Sequence, residues 1–325
     1  MFRETTNLSL THLKKARERI KGLINRTPCI YSLPLSRRTG KRVFLKLENL
    51  QITQSFKARG NANKVAQLTE DEKTKGVITA SSGNHGQGLS LAALRSGIRA
   101  TIVLPKAAPT NKVEEIKGNK SKVIIHGETY DDAAAYAHSL AQEEGYIYIP
   151  SFDDPDIIAG NASMGMEILE DIPDVELILC PIGGGGGISG VSVAVKQIKS
   201  SVKIIGVEAE QAPSMLESIK ANKIVELPSA DTIADGIAIR RPGRLNFEIV
   251  KRYVDDIVTV SEDEMKATII TLAREAKIIA EAAGAAATAA LLFGKLTIEC
   301  SNVVCIVTGG NIDLSLFKTI LNNIS

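Results

Sequence analysis

Short apolar runs alternate with helical patterns along most of this chain, and that alternation limits the folds open to it. The runs are four to seven residues long, a length typical of buried strands. They predict strands at residues 43–47, 76–79, 100–104, 122–125, 177–180, 203–207, 256–260 and 302–307. Helical patterns lie between most of them, for example at residues 86–95, 130–144, 190–198 and 262–293. This order favours an α/β architecture with parallel sheets.

Composition excludes several classes of protein. With 325 residues, 44% of them hydrophobic, the chain can bury the core of one large domain or two medium ones. Its net charge of +2 is too small to indicate nucleic-acid binding or a membrane surface. No apolar stretch approaches about 18 residues, so we expect no membrane span. Arg3, Glu4 and Asn7 precede any apolar run, which argues against a signal peptide and for a cytoplasmic protein.

Five successive glycines follow the strand predicted at residues 177–180. They are Gly183, Gly184, Gly185, Gly186 and Gly187. Exposed N–H groups at such a strand–loop–helix junction bind phosphate. No Lys-Ser or Lys-Thr pair follows, so the run is not a nucleoside-triphosphate loop. It also fits G-x-G-x-x-G, with Glu208 placed like a ribose-binding acid, so an NAD-dependent oxidoreductase is an alternative.

Lys57 lies where a predicted strand gives way to a helix. Ser55 is the predicted N-cap, which places Lys57 in the first helical turn. The positive end of the helix dipole disfavours a cation there by about 0.3–1 kcal/mol. The same repulsion, together with burial, lowers the pKa of the amine and leaves more of it nucleophilic. The alternative is an exposed lysine that merely tolerates the position.

Two more predicted strands end in polar residues. Ser81, Ser82, Asn84 and His85 follow the second strand and open a helix, which suits capture of a carboxylate, although an N-cap alone is the simpler alternative. Thr308 follows the last strand. Ligands of open α/β sheets bind at the carboxyl ends of strands. A dehydrogenase explains only the phosphate site, whereas a pyridoxal phosphate enzyme explains the amine, the carboxylate site and the hydroxyl as well.

In these segments the chain resembles the fold-type II pyridoxal-phosphate enzymes, which are tryptophan synthase β-like, and within them the threonine/serine dehydratase and serine racemase group. The matching motifs lie at residues 26–28, 45–51, 55–57, 81–87, 183–187, 234–238 and 309–311. The resemblance implies two open parallel or mixed sheets flanked by helices. It also implies a large cofactor-binding domain from residues 1–75 and 154–325 and a small substrate-closing domain from residues 76–153.

The resemblance assigns cofactor-binding roles to matching positions. Lys57 would hold pyridoxal 5'-phosphate as a Schiff base and move the α-proton of the substrate. Phe56 would pack beside the ring, and Asn84 would hydrogen-bond to the ring hydroxyl. Thr308 would face the pyridine nitrogen, and the five glycines would hold the phosphate.

Roles toward the substrate follow from the same resemblance. Ser81, Ser82, Asn84 and His85 would surround the substrate carboxylate. Ser82 would also be the acid/base group on the face of the cofactor opposite Lys57.

A cation site is implied at Glu208, Ala212 and Ser214. The family uses a second acid where this chain has Ser214, so a monovalent or weakly bound divalent ion is favoured over a tight Mg²⁺ or Ca²⁺ site. Ile52 stands where eukaryotic-type serine racemases carry a nucleotide-site lysine, which argues against activation by ATP.

The implied function is a pyridoxal-phosphate-dependent ammonia-lyase (a dehydratase of amino-acid metabolism). It would convert L-threonine, L-serine or a related β-hydroxy amino acid to a 2-keto acid and ammonia. Gln54, Asn61 and Asn161 depart from the family motifs and leave the substrate open, so hydroxyaspartate and phenylserine are alternatives. Serine racemase with side dehydratase activity and a catalytically dead cofactor-binding protein are others. Family members are commonly homodimers, and we expect a homodimer here.

Overall fold

Two sheets organise the molecule in the computed structural model, which describes residues 8–81, 83–106, 108, 110–296 and 298–322. The strands are β1 (Cys29–Tyr31), β2 (Arg42–Leu47), β3 (Val77–Ala80), β4 (Ala100–Leu104), β5 (Lys122–Ile125), β6 (Ile147–Tyr148), β7 (Leu177–Pro181), β8 (Lys203–Ala209), β9 (Asp256–Val260) and β10 (Asn302–Val307). Six of them form one sheet, in the order β1-β2-β10-β7-β8-β9, and four form another, in the order β5-β4-β3-β6.

Helices flank both sheets. They are α1 (Leu10–Ile20), α2 (Leu33–Thr39), α3 (Lys57–Val65), α4 (Glu70–Lys75), α5 (Asn84–Arg95), α6 (Thr110–Gly118), α7 (Tyr130–Glu144), α8 (Pro155–Asp171), α9 (Gly186–Ile198), α10 (Ser214–Lys220), α11 (Arg244–Tyr253), α12 (Glu262–Thr271), α13 (Ala282–Leu292) and α14 (Leu314–Asn322). None of the helices in the described ranges has both the length and the apolar content needed to span a bilayer.

The six-stranded sheet is parallel except at β1, which runs antiparallel to β2. Alternate residues of each strand face opposite sides. Val303 and Cys305 of β10 pack in the core that contains α12 and α13. Val304 and Ile306 pack in the core on the other side, which contains α8, α9 and α11. Both faces are therefore buried, which is why the strands read as unbroken apolar runs.

The four-stranded sheet is parallel throughout. Its core on one side contains residues of α5, such as Leu89, and on the other side residues of α7, such as Leu140. The chain leaves the six-stranded sheet after β2 and returns to it at β7. All four strands of the smaller sheet lie in the segment between these two points.

The fold class predicted from the sequence is confirmed. The strands at residues 100–104, 122–125, 256–260 and 302–307 have the predicted bounds. β1 and β6 were not predicted because strands of three and two residues are too short to show a recognisable hydrophobic pattern.

The helical pattern at residues 262–293 is broken into two α-helices, α12 and α13. After α12 the chain makes a turn of π-helix at Leu272–Ala276. Lys277 then takes a left-handed conformation with a φ of 60°, and α13 begins only after Glu281. The break leaves this carboxylate at the start of a buried helix.

Candidate active site

A cavity of about 750 Å³ lies where the carboxyl ends of strands from both sheets meet. It gathers most of the residues singled out in the sequence: Phe56, Lys57, Ser81, Asn84, His85, Gly183, Gly184, Gly185, Gly186, Gly187 and Thr308. Ser82 lies outside the described residues. Glu208, Ala212 and Ser214 are not among the described residues that line the cavity.

Lys57 is the first residue of α3, and the N-cap is Phe56 rather than the predicted Ser55. Ser55 forms an isolated antiparallel bridge with Gly309, just after β10. The main-chain N–H of Phe56 donates to the carbonyl of Thr308 at 3.0 Å. Ser55 Oγ still accepts from the main-chain N–H of Lys57 at 3.4 Å, and the main-chain pairing fixes Lys57 beside Thr308.

The amine of Lys57 is held inside the cavity. Its Nζ donates to the carbonyl of Ser151 at 2.9 Å and lies 5.4 Å from the centre of the Phe56 ring. Burial lowers the pKa of Lys57 to about 8, although the charge of Glu281 acts in the opposite direction. The predicted lowering of this pKa is thus present, and burial is its largest cause.

The glycine run ends β7 and begins α9. The helix starts at Gly186, with Gly185 as N-cap and no side-chain cap bond, so its first N–H groups are left for a ligand. A Cβ atom on Gly184 would lie 2.4 Å from the ring of Phe152, so only glycine fits at this position. The cradle, with Lys57 in the same cavity, fits a phosphate-bearing aldehyde cofactor.

The loop after β3 presents main-chain donors to the same cavity. α5 begins at Asn84 with Gly83 as N-cap, which also lacks a side-chain cap bond. Ser81 Oγ accepts from the N–H of Gly83 at 3.2 Å. Both ring nitrogens of His85 already contact protein atoms, and burial, followed by the charge of Lys57, lowers its pKa to about 3. The neutral His85 ring is thus engaged within the protein.

Glu281 is a cavity residue that sequence reasoning missed. It is 3% exposed, lines the cavity, and its Oε1 accepts from Asn84 Nδ2 at 2.7 Å. Asn84 Oδ1 in turn accepts from Asn311 Nδ2 at 2.8 Å. The helical pattern at residues 262–293 hid this residue. The available signal was a single carboxylate within an alanine-rich apolar stretch.

A buried set of four charges lies behind the lysine helix. Arg59 Nε donates to Glu48 Oε2 at 2.7 Å, and Arg59 Nη1 donates to Glu167 Oε1 at 2.8 Å. Lys46 pairs with the same Glu167. Two positive and two negative side chains thus compensate one another, and they anchor α3 two residues after Lys57.

Of the three predicted cation ligands, Glu208 lies in β8, Ala212 lies in the loop that follows, and Ser214 is the first residue of α10. The Glu208 carboxylate accepts from the N–H groups of Met215 and Leu216 at 2.9 and 2.8 Å, and burial raises its pKa to about 8. Ser214 Oγ is buried with no hydrogen-bond partner among the described residues. Over those residues, no group of three or more His, Cys, Asp or Glu side chains is placed to hold a metal ion.

The residues that depart from the family motifs do not face the cavity. Gln54, Asn61 and Asn161 are absent from its described lining. Gln54 takes a left-handed conformation with a φ of 56°, a conformation that glycine adopts at lower cost. Asn161 Nδ2 donates to the carbonyl of Gly186 at 3.2 Å, so it supports the glycine cradle from behind.

A model of the family described as pyridoxal-phosphate dependent enzyme matches residues 20–309. An L-threonine ammonia-lyase of Thermotoga maritima is 44% identical over 315 residues, which are 97% of this chain and 78% of that protein.

Solved structures agree with the sequence comparison. The processed form of threonine deaminase isoform 2 from Solanum lycopersicum has a TM-score of 0.92 and 35% identity, over 96% of this chain and 92% of that one. Maize serine racemase has a TM-score of 0.92 and 33% identity, over 97% of both chains.

Proposed function

Because this chain belongs to the pyridoxal-phosphate dependent enzymes, we propose that it is an ammonia-lyase acting on L-threonine or L-serine. The observation that carries the proposal is one cavity that holds both Lys57 and the glycine cradle. The 44% identity to an L-threonine ammonia-lyase supports the choice of substrate. The nicotinamide alternative explains neither the amine nor the family match.

The residues that would hold the cofactor are spread along the chain, from Phe56 to Thr308. Bound pyridoxal phosphate supplies an aldehyde that takes up an amino group and a ring that draws electrons from the substrate's α-carbon. In the proposal, Gly183 to Gly187 hold its phosphate and Phe56 packs beside its ring. Asn84 faces the ring hydroxyl, and Thr308 faces the pyridine nitrogen. Lys57, whose pKa is lowered to about 8, supplies the amine and afterwards accepts the α-proton.

The substrate would be oriented by its carboxylate. The first N–H groups of α5, which has no side-chain cap, and the hydroxyl of Ser81 are the donors that favour an anion. Ser82, which lies outside the described residues, retains its proposed roles as a carboxylate ligand and as the acid/base group opposite Lys57. Asn84 and His85, the first two residues of α5, complete the proposed site.

We further propose that residues 76–153 form a small domain that closes over the substrate against residues 1–75 and 154–325. Arg240 supports this, because its Nη1 contacts Asp131 of α7 at 2.9 Å and its Nη2 contacts Glu226 at 3.2 Å. Only the pair with Asp131 joins the two proposed domains, and such an exposed pair contributes little stability, so it permits opening and closing.

A second candidate function is racemisation of serine. Its support is the maize serine racemase, whose TM-score of 0.92 equals that of the threonine deaminase. The two functions share the proposed lysine and differ in the group that meets the opposite face of the substrate. An atypical β-hydroxy amino acid such as hydroxyaspartate or phenylserine belongs to the same reaction class.

Purified protein incubated with a panel of β-hydroxy amino acids tests these proposals, with keto acid and the D-isomer measured together. We expect keto acid from L-threonine or L-serine and an absorbance band at about 410–420 nm that Lys57→Ala abolishes. A protein with the band that neither deaminates nor racemises any substrate would be a cofactor binder only.

Three further features belong to the proposal. We propose a homodimer in the cytoplasm, as is common for the family. We also propose that Glu208, the Ala212 carbonyl and Ser214 hold a monovalent or weakly bound divalent cation. The support is the buried Ser214 hydroxyl, which has no partner within the described ranges.

A further inference from the structure

Asn61 joins the two helices that carry the site, although it does not line the cavity. The residue lies on α3, one turn after Lys57, and is 1% exposed. Its Nδ2 lies 2.9 Å from the Lys57 carbonyl and 3.2 Å from His85 Nδ1 on α5. A Cβ atom on Gly88 of α5 would lie 2.7 Å from the same Nδ2, so glycine there permits the approach.

The Lys57 carbonyl fixes which end of the Asn61 amide faces His85. A carbonyl only accepts hydrogen bonds, so the nitrogen must point toward it. The second hydrogen on the same nitrogen is then directed at His85 Nδ1, which must accept it. If the Asn61 amide were flipped, its Oδ1 would face the Lys57 carbonyl oxygen, and two acceptors would repel each other.

The contacts of Nε2, on the other side of the His85 ring, lead to the same tautomer. Nε2 lies 3.1 Å from the carbonyl of Ile149 and 3.1 Å from Thr79 Oγ1. Thr79 Oγ1 itself donates to the Ile149 carbonyl at 2.8 Å. Since that carbonyl only accepts, Nε2 must carry the proton. A doubly protonated ring would turn Nδ1–H against an Asn61 N–H, so the Asn61 side excludes the charged ring and the two sides together specify the neutral Nε2–H tautomer.

We propose that Asn61 is a positioning residue that holds His85 as its neutral Nε2–H tautomer and so ties the first turn of α5 to the lysine helix. With both ring nitrogens engaged, His85 offers the substrate its main-chain N–H and not its side chain. This deepens the proposed function, on which it rests for the identity of the bound carboxylate.

Nitrogen NMR of the cofactor-loaded protein, labelled in histidine, tests the tautomer directly. The chain has four histidines, and His85→Gln assigns the signal that disappears. At about pH 7 we expect Nδ1 of His85 to be unprotonated and Nε2 to be protonated. A protonated Nδ1 would overturn the proposal, and this result needs no variant of Asn61.

Two variants then test whether Asn61 is the cause. Asn61→Asp sets a carboxylate, which only accepts, beside Nδ1, so the ring should gain a proton at that nitrogen. Asn61→Ala removes one hydrogen bond between the helices and should raise KM for L-threonine about three- to tenfold, with kcat changed less than about twofold. An unaltered His85 signal in Asn61→Asp, or an unaltered KM in Asn61→Ala, would count against the proposal.

Asn63 supplies the matched control. It lies on α3, is fully buried and bonds to Asp156 and Arg19 instead of His85. Asn63→Ala should leave KM within about twofold, and an equal rise in both variants would mean that α3 is merely weakened. If no amino acid loses ammonia or its chirality, the proposed function fails, whereas the NMR result on His85 still stands or falls alone.

Discussion

Asn84 donates its side-chain N–H to the Glu281 carboxylate at 2.7 Å, which joins the loop after β3 to the start of α13. A carboxylate only accepts, so this bond orients the Asn84 amide with its nitrogen toward Glu281. The same carboxylate raises the pKa of Lys57 against the effect of burial. Glu281 therefore acts both on the proposed ring contact and on the amine.

The reactivity of Lys57 should follow its neutral fraction. Burial lowers its pKa to about 8, so half of the amine is neutral near that pH, and the neutral fraction falls about tenfold for each pH unit well below it. We expect the rate at which cofactor-free protein takes up pyridoxal phosphate to rise with pH, with a midpoint near pH 8, and to level off above it. Stopped-flow absorbance measures this, and a midpoint near that of an ordinary lysine would contradict the prediction.

Replacing Glu281 should move that midpoint downward. Glu281→Gln removes the charge that raises the pKa of Lys57, so uptake of pyridoxal phosphate should reach its plateau at a lower pH. Glu275→Gln is the matched control, because Glu275 pairs with Arg38 outside the cavity. The same shift in both variants, or an upward shift in the first, would exclude a direct charge effect.

The glycine cradle should not tolerate a side chain at position 184. In Gly184→Ala the new Cβ would lie 2.4 Å from the Phe152 ring, so the loop must move and its N–H groups lose their alignment. We expect pyridoxal phosphate to bind at least about tenfold more weakly, which corresponds to about 1.4 kcal/mol. Gly118→Ala, where a Cβ meets nothing within 4 Å, should bind as the parent does. Equal affinities would show that the cradle is not the phosphate site.

The buried charged side chains behind α3 should contribute more to the free energy of unfolding than an exposed ion pair does. Glu167→Ala leaves Lys46 and Arg59 short of one negative partner, and the expected loss of unfolding free energy is about 3–5 kcal/mol. Glu70→Ala removes an exposed pair with Lys73 and should cost less than about 1 kcal/mol. Urea unfolding of cofactor-loaded protein compares the two losses, and similar losses would show that the network contributes no more stability than an exposed ion pair.

Gln54 holds a conformation that suits glycine better. Its φ of 56° is left-handed, which costs a residue with a Cβ about 1–2 kcal/mol. Gln54→Gly should therefore stabilise the protein by up to about 1 kcal/mol, offset in part by the entropy of glycine. Asn222→Gly, at a φ of 54°, should gain less because asparagine tolerates this region. Thermal unfolding measures the stability of both variants, and a destabilised Gln54→Gly would contradict the prediction.

Sequence reasoning succeeded where one local pattern carried the information. The apolar runs predicted the central strands of both sheets, because strands buried on two faces need apolar residues at every position. The glycine run and Lys57 were recognised for similar reasons, since few other residues suit a phosphate cradle or a covalent amine. The glycine run follows the carboxyl end of β7 directly, whereas a segment of nine residues separates Lys57 from the end of β2.

Features that depend on distant segments were out of reach. Ser55 pairs with Gly309, and this contact displaced the predicted N-cap by one residue. The break before Glu281 contains no glycine or proline that would indicate it. Asn61 departs from the family motif, and the sequence indicated an effect on substrate preference. In the structure its side chain contacts Lys57 and His85 instead. Its role depends on how closely α5 approaches α3, which no local pattern encodes.

The pairing of β2 with β10 has a consequence for the order of events during synthesis. Arg42 is opposite Asn302 in this parallel ladder. β2 therefore cannot pair with β10, its neighbour in the sheet, until nearly the whole chain has been synthesised. Lys57 and Thr308 are brought together by the same ladder. The ribosome must therefore release β10 before a complete cofactor pocket exists, and a nascent chain cannot use pyridoxal phosphate as a scaffold for its early folding.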